Sequence, residues 1–226
     1  MSLWSRIFGE KRSLPVPPYS WDLMRGWWGI ETAAGVPLSP YLAENLAAVF
    51  ACVQVIAETV ATLPLVVYRM AGEGVRSASD AHPIARLFSR APNALQTPCE
   101  FIEMMTAHCL LRGNAYAEII FDDRGAPVEL LPMHPDAVGV MRIPGTRRLV
   151  YDYNDPVASR TRRLLSDEVL HLRDRSDDGF VGRSRLYRAR ESFGTAMATE
   201  HHAASTFRNG ATLSGVLQHP DNIGDD

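Results

Sequence analysis

Three stretches of the chain carry apolar residues at helical spacing. In the first, Leu42, Leu46, Val49, Val53, Ile56 and Val60 form a stripe flanked by Ala43, Ala47, Ala48, Ala51 and Ala57. The pattern predicts one long helix from Ser39-Pro40 that packs closely on two sides. Leu63-Pro64 stops it, residues 65–69 read as a strand, and Gly72-Glu73-Gly74 as a hairpin turn. His82-Pro83 opens a short helix over residues 84–88, which Pro92-Asn93 breaks. The second stretch is the best marked. Thr97-Pro98-Cys99-Glu100 places a capping residue, a proline at the first helical position and a glutamate three residues after the cap. Phe101, Met104, Met105, His108 and Leu111 give one apolar face, and Gly113 ends the helix where a left-handed conformation costs least.

Beyond Gly113 the period changes from helix to strand. Tyr116, Ile119, Ile120 and Phe121 lead to a turn at Asp122-Asp123-Arg124-Gly125. Residues 128–131, 138–141, 149–153, 163–165 and 169–172 follow as short strands between Pro, Gly and Asn-Asp turn signals. The expectation is an antiparallel meander packed against two helices, hence an α+β fold. After the tight loop of residues 177–182, Ser184 caps the third helical stretch, which runs to about Arg208. Leu186, Ala189, Phe193, Met197, Ala204 and Phe207 fall on one side; Arg188, Glu191, Thr195, Thr199, His202 and Thr206 fall on the other. Asn209-Gly210 ends it, and residues 212–217 read as a strand.

Residues 1–39 keep no period. Prolines at 15, 17, 18 and 37, with Trp21, Trp27 and Trp28 among small residues, predict an extended arm whose aromatics dock on the chain's own body or on a neighbouring subunit. Leu3, Trp4, Ile7 and Phe8 make a short amphipathic patch, too short for a spanning helix and without a cleavage site.

Composition narrows the chemistry. The 226 residues are 46% hydrophobic and 22% charged, which describes an ordinary globular protein. A net charge of −3 argues against a general basic nucleic-acid binder. Lys11 is the only lysine, so the folded part offers neither a P-loop lysine nor a Schiff-base lysine. Cys52, Cys99 and Cys109 include no Cys-x-x-Cys pair and are expected to be reduced core cysteines of a cytosolic protein.

Candidate reactive groups do not converge. Asp122-Asp123 and Asp177-Asp178 are possible divalent-metal ligands, but each sits in a glycine-containing turn where aspartate is favoured for local hydrogen bonding. Adjacent His201 and His202 point about 100° apart on a helix and cannot share a metal as an i, i+4 pair does. His171 reads as a half-buried strand histidine, Ser184 as a helix cap rather than a nucleophile, and Arg160, Arg162 and Arg163 as a solvated hairpin loop. No catalytic residue, metal ligand or cofactor follows from these positions.

Several stretches, in their order along the chain, resemble the portal proteins of long-tailed phages. They are residues 51–57 running into Leu63-Pro64-Leu65; His82-Pro83 with Pro92-Asn93; Leu111-Arg112-Gly113-Asn114-Ala115-Tyr116; Leu130-Leu131-Pro132 and Pro135 with Val138; Asp167-Glu168-Val169-Leu170-His171; residues 179–184; and residues 207–211 with Ser214-Gly215-Val216. The resemblance implies a non-enzymatic, dodecameric ring at one capsid vertex, through whose channel double-stranded DNA is packaged and ejected. It implies residues 1–39 as the arm, 40–183 as an α+β wing, 184–209 as a stem helix and 210–226 as the start of a clip, with the second stem helix, tunnel loop and crown of the family lying beyond the sequence given.

The partners it implies are further copies of the chain, the major capsid protein, terminase, a head-tail adaptor and DNA bound without sequence specificity, in a virion or gene transfer agent assembled in the bacterial cytoplasm; no membrane is implied. Arg188, Thr195, Thr199 and His202 are expected to face the channel or an adjacent stem helix, and Trp21, Trp27 and Trp28 to dock on a neighbouring subunit. Two other classes remain open on sequence: a metal-dependent phosphodiester-cleaving enzyme using the aspartate pairs, and a monomeric protein-binding adaptor.

Overall fold

Two three-stranded antiparallel sheets form the centre of the structure, a computed structural model that describes residues 30–70, 76–146, 148–155, 160–211 and 215. In chain order come a small ladder of β1 (Ile30–Glu31) and β2 (Pro37–Leu38), helices α1 (Pro40–Ala43) and α2 (Ala47–Ala61), and a hairpin of β3 (Tyr68–Met70) and β4 (Arg76–Ala78). Helices α3 (Pro83–Ser89) and α4 (Pro98–Arg112) precede β5 (Asn114–Phe121) and β6 (Pro127–Met133). A short 3-10 turn (Pro135–Ala137) leads to β7 (Val138–Arg142), β8 (Leu149–Asp155), β9 (Arg160–Leu165) and β10 (Val169–Arg173). Helices α5 (Arg185–Arg188) and α6 (Arg190–Arg208) close the described chain.

Helix α4 forms for the reasons its sequence announces. Thr97 accepts from the Glu100 amide while the Glu100 carboxylate accepts from the Thr97 amide, a reciprocal cap worth about 1 kcal/mol. Gly113 ends it at φ +81. Phe101 and Met105, each 1% exposed, point from α4 onto Ala115 and Ala117 of β5 and Leu130 of β6. The strand's alanines admit the helix closely, and burying a side chain such as Phe101 is worth about 2–3 kcal/mol. The alternate residues of β5 face the second sheet: Tyr116, with Met133 and Val169, packs on Val138, Val140, Tyr151 and Leu164. The layers are therefore helices, sheet, sheet, with β5 buried on both faces.

Strand positions were legible; strand partners were not. Instead of one meander, β10 returns to lie antiparallel beside β5, giving the order β10-β5-β6, and β7-β8-β9 forms a separate sheet. Alternation decides which side of a strand is apolar and leaves its neighbour open.

The first predicted long helix is two. After α1 the chain turns at Glu44 and Asn45, and Leu46, extended at ψ 115, drops into a core with Leu38, Ala43, Val49, Leu111 and Leu186. Helix α2 then rests on α4 mainly through Val49, Ala57 and Ala61, so Ile56 and Val60 are each left 39% exposed. Small side chains allow the closer approach and win the interface. The third predicted helix is likewise interrupted, at Ala189 (φ −111, ψ 26). The strand expected over residues 65–69 is reduced to β3, displaced toward its end.

Two local readings are corrected. Cys52 and Cys99 are exposed, on helix sides turned away from the packing, and are not core cysteines, whereas Cys109 is half-buried and packs against the core of α4 and β5. Arg160, Arg162 and Arg163 belong to β9 rather than to a loop, and the latter two are engaged in ion pairs. The turn at residues 72–74, the arm to residue 29 and the strand expected over residues 212–217 lie outside the described residues, Gly215 excepted.

Candidate functional site: the junction of the sheets with the long helix

The hydrogen bonds that seat the start of α5 on the body converge where α4 passes into β5. Gly113 presents its carbonyl to the Asp174 amide at 2.9 Å. Asn114 then reaches across to Gly182: its Nδ2 donates to the Gly182 carbonyl at 2.8 Å, and its Oδ1 accepts from the Gly182 amide at 2.7 Å. A Cβ on Gly182 would stand 1.9 Å from the Gly113 oxygen, and one on Gly113 would stand 2.5 Å from the Ser184 nitrogen. Both positions need glycine because two backbones touch there. Ser184 completes the seam, donating to the Leu111 carbonyl at 2.7 Å and capping α5 by accepting from Leu186 and Tyr187.

A histidine backs this seam. Asn114 Oδ1 lies 3.0 Å from His171 Nε2, and the Tyr151 hydroxyl lies 3.1 Å from His171 Nδ1. The Gly182 amide fixes Asn114 Oδ1 as an acceptor, so His171 carries its proton on Nε2 and accepts from Tyr151 at Nδ1. Tyr116 lies against the imidazole, with ring centres 4.5 Å apart. Burial, with Arg173 adding to it, pulls His171 down to about 4, so the ring is neutral. It is a satisfied half-buried histidine, as its strand position implied.

An outer clasp of opposite charges surrounds the seam. Asp174 takes Arg185 through two bonds, at 2.6 and 3.1 Å, and the guanidinium holds its carboxyl below the usual range. Asp177 accepts from Arg188 at 2.5 Å and Arg183 at 2.9 Å. Asp178 Oδ1 instead folds its own loop, accepting from the amides of Phe180 and Val181. Tyr187 sits beneath two guanidiniums, Arg183 at 4.3 Å and Arg190 at 5.3 Å. The pair Asp177-Asp178 is thus occupied by arginines and backbone amides, and Asp122 Oδ1 accepts from the amides of Arg124 and Ala126 in a turn. Among the described residues no three His, Cys, Asp or Glu groups converge as a metal site would require.

From the junction α6 runs outward. Phe193 and Met197 rest on the core of Leu38, Leu111 and Leu186, and Gly194 passes so close to Thr32 that a Cβ would meet its side chain at 2.4 Å. Glu191 accepts from the Ala33 amide, tying the β1–β2 ladder to the helix. Beyond Met197 the helix has no buried residue, and Phe207 is 77% exposed. Of the residues the sequence proposed for a channel or subunit face, Thr195, Thr199 and His202 lie on one exposed side of α6. The two threonine hydroxyls donate to the carbonyls of Glu191 and Thr195. Arg188 is set apart in α5, bound to Asp177 and the Arg175 carbonyl. Trp21, Trp27 and Trp28 lie outside the described residues.

Sequence reasoning noted Gly113-Asn114 and residues 179–184 as separate motifs and missed that they grip each other. It also missed the Glu118–Arg162 pair, two bonds of 2.8 and 2.6 Å that span the two sheets. An acidic residue inside an otherwise apolar strand was the available signal.

The fold and the motifs have counterparts. The portal protein of Enterobacteria phage HK97 is 32% identical over 174 residues, covering 76% of this chain and 40% of its own length. The probable portal protein of Streptomyces phage phiC31 is 28% identical over 244 residues, covering 100% of this chain and 52% of its own. Among solved structures, the neck of an empty GTA particle computed with C6 symmetry contains a chain that superposes with a TM-score of 0.62 at 25% identity, over 99% of this chain and 56% of that one. The chain thus spans about half the length of the curated relatives it matches. The profile described as Phage portal protein matches residues 47–226, and the chain belongs to that family.

Proposed function

We propose that this chain is the wing and first stem helix of a ring-forming portal subunit, stationed at one vertex of a phage or gene-transfer-agent capsid. In this reading residues 1–39 are an arm, 40–183 the wing, 184–209 the stem helix and 210–226 the start of the clip. The work is structural and no side chain acts as a catalyst. Double-stranded DNA passes through the ring without sequence recognition, and the major capsid protein, terminase and a head-tail adaptor dock around it. The observation that carries the reading is the family match over residues 47–226. The layout agrees with it: a layered body, a clamped junction, and a helix that leaves the body with little of itself buried.

Transport asks for weak contact, because each fixed cation set against phosphate tightens binding and makes it salt-dependent. The exposed side of α6 bearing Thr195, Thr199 and His202 presents hydroxyls and an imidazole and no arginine or lysine at its centre, and we assign it to the channel or to the adjacent stem helix, with Arg188 at its root. Trp21, Trp27 and Trp28 are assigned to a neighbouring subunit. Among the described residues no helix is long and apolar enough to cross a membrane.

The test is negative-stain microscopy with native mass spectrometry on the full-length protein over a range of concentrations. Closed rings of repeated subunits are expected. A species that stays monomeric at every concentration overturns the reading.

A further inference from the structure

The first described residue stands on the wall of a cavity. Ile30 and Leu38 face each other across the β1–β2 ladder, and both line a space of about 450 Å³ together with Pro40, Arg112, Asp136 and Val138. The ladder, the end of α4, the start of β7 and the loop before α5 enclose it. A concave, mainly apolar space of this size, with a few polar groups, is large enough to receive a bicyclic aromatic ring.

One wall is incompletely paired. The side chains of Arg112 and Asp136 are 8% and 13% exposed and are joined by one bond, Nε to Oδ2 at 2.9 Å. Arg112 Nη2 is buried with no hydrogen-bond partner among the described residues. A buried donor is rarely left so, and an acceptor from elsewhere in the chain is expected beside it. Charge narrows the occupant further. Asp136, Asp177 and Asp178 line the cavity against Arg112 and Arg183, a balance that disfavours an anion and suits a neutral group able to donate.

The segment leading into Ile30 carries such a group. Trp27 and Trp28 lie outside the described residues, but Trp28 precedes Ile30 by only two positions, a reach of at most about 7 Å. Alternate residues of a strand share a side, so β1 carried backward sets Trp28 on the cavity side with Ile30, and Trp27 on the other. The register of Ile30 with Leu38 and Glu31 with Pro37 then brings position 28 opposite Pro40, itself on the cavity wall. An indole offers a large apolar body with one N–H donor, and the backbone beside it offers carbonyls. A side chain tethered this closely also outcompetes the same group on another molecule, because its effective concentration is high.

We propose that Trp28 fills this cavity in its own chain, with the indole N–H directed to the Asp136 carboxylate and a carbonyl of residues 27–29 accepting from Arg112 Nη2. The root of the arm is thereby fixed to the body. Trp21 and Trp27 keep the assignment to a neighbour made above, and Trp28 leaves it. The proposal holds whether or not rings form.

The photo-cross-linker p-benzoylphenylalanine, an aromatic residue, is placed at position 28 and separately at position 27 of the full-length protein. After irradiation, denaturing electrophoresis separates links within a chain from links between chains, and peptide mass spectrometry maps them. An intrachain link from position 28 to residues 38–40 or 135–140 is expected, with loss of that link when the probe is moved to position 27. In the unsubstituted protein, hydroxyl-radical footprinting is expected to oxidise Trp28 more slowly than Trp27. A link from position 28 to a second copy puts a neighbour's arm in the cavity; it overturns the proposal and leaves the ring reading standing. Absence of any link from position 28 to these peptides gives the cavity to a diffusible ligand and overturns the proposal. Equal intrachain links from positions 27 and 28, or equal oxidation of the two tryptophans, overturn it as well.

Discussion

Asn114 holds the backbone of Gly182 in both directions, donating to its carbonyl at 2.8 Å and accepting from its amide at 2.7 Å, although 68 residues separate them. Asn114→Leu removes both bonds and leaves two buried backbone groups without partners, so it is expected to cost about 2–4 kcal/mol. Asn114→Asp keeps the acceptor and loses the donor, and falls between. Urea unfolding of the three proteins checks the order; a leucine variant as stable as the parent removes the seam from the argument.

Glu118 and Arg162 form the second bridge inside the body. The Glu118 side chain is 9% exposed and that of Arg162 30%, so solvent weakens the pair from one end. Glu118→Ala is expected to destabilise by roughly 2 kcal/mol, less than a fully buried pair would lose. Replacing both residues, by Met at 118 and Leu at 162, is expected to cost less than the single change, because no charge is left stranded. Equal losses from single and double variants would contradict this account.

His108 and His171 set an acid limit. Each is drawn from 6.5 to about 4, chiefly by burial, with Arg112 helping at His108 and Arg173 at His171. The unfolded chain takes up these protons near pH 6.5 and the folded chain does not, so stability is complete above that pH and falls as the pH drops toward 4. The loss amounts to as much as ~3 kcal/mol for each ring. His108 Nδ1 is also buried without a hydrogen-bond partner. His108→Leu is therefore expected to be harmless at pH 7 and to flatten the decline between pH 6.5 and 5. Unfolding midpoints measured across that window decide it.

Gly194 and Thr32 are pressed together where α6 crosses the β1–β2 ladder. A Cβ at 194 would meet three atoms of the Thr32 side chain at 2.4 to 2.7 Å, and Thr32 is 4% exposed and bonded to the Val36 carbonyl, so it has little room to yield. Gly194→Ala raises helix propensity and would stabilise an isolated helix, yet here it is expected to cost about 1–3 kcal/mol through overpacking. Its signature is faster proteolysis near residues 30–38. A stabilised variant would show that the crossing gives way freely.

What the sequence revealed and what it concealed divide along one line. The cap at Thr97, the left-handed Gly113 and the limits of β5 are each set by residues within a few positions of one another, and they appear where the pattern put them. The pairing of β10 with β5, the Asn114–Gly182 grip and the Glu118–Arg162 bridge depend on residues 44 to 68 apart or on strand order, which no local period encodes. The interruptions at Glu44–Leu46 and at Ala189 were hidden for a related reason. Each follows from where the body needs Leu46 or Leu186, and not from any helix breaker. The shared exposed side of Thr195, Thr199 and His202 on α6 was legible from helical spacing, while the engagement of Arg188 with Asp177 required the loop in three dimensions.

The break at Ala189 leaves two separate seats: the guanidinium–carboxylate ties at Asp174 and Asp177 hold α5, while Glu191, Phe193, Gly194 and Met197 hold the first turns of α6 itself. The ties slacken as counterions gather, whereas the packed contacts of Phe193, Gly194 and Met197 carry no charge. The seating of α6 is therefore expected to outlast that of α5 as salt rises.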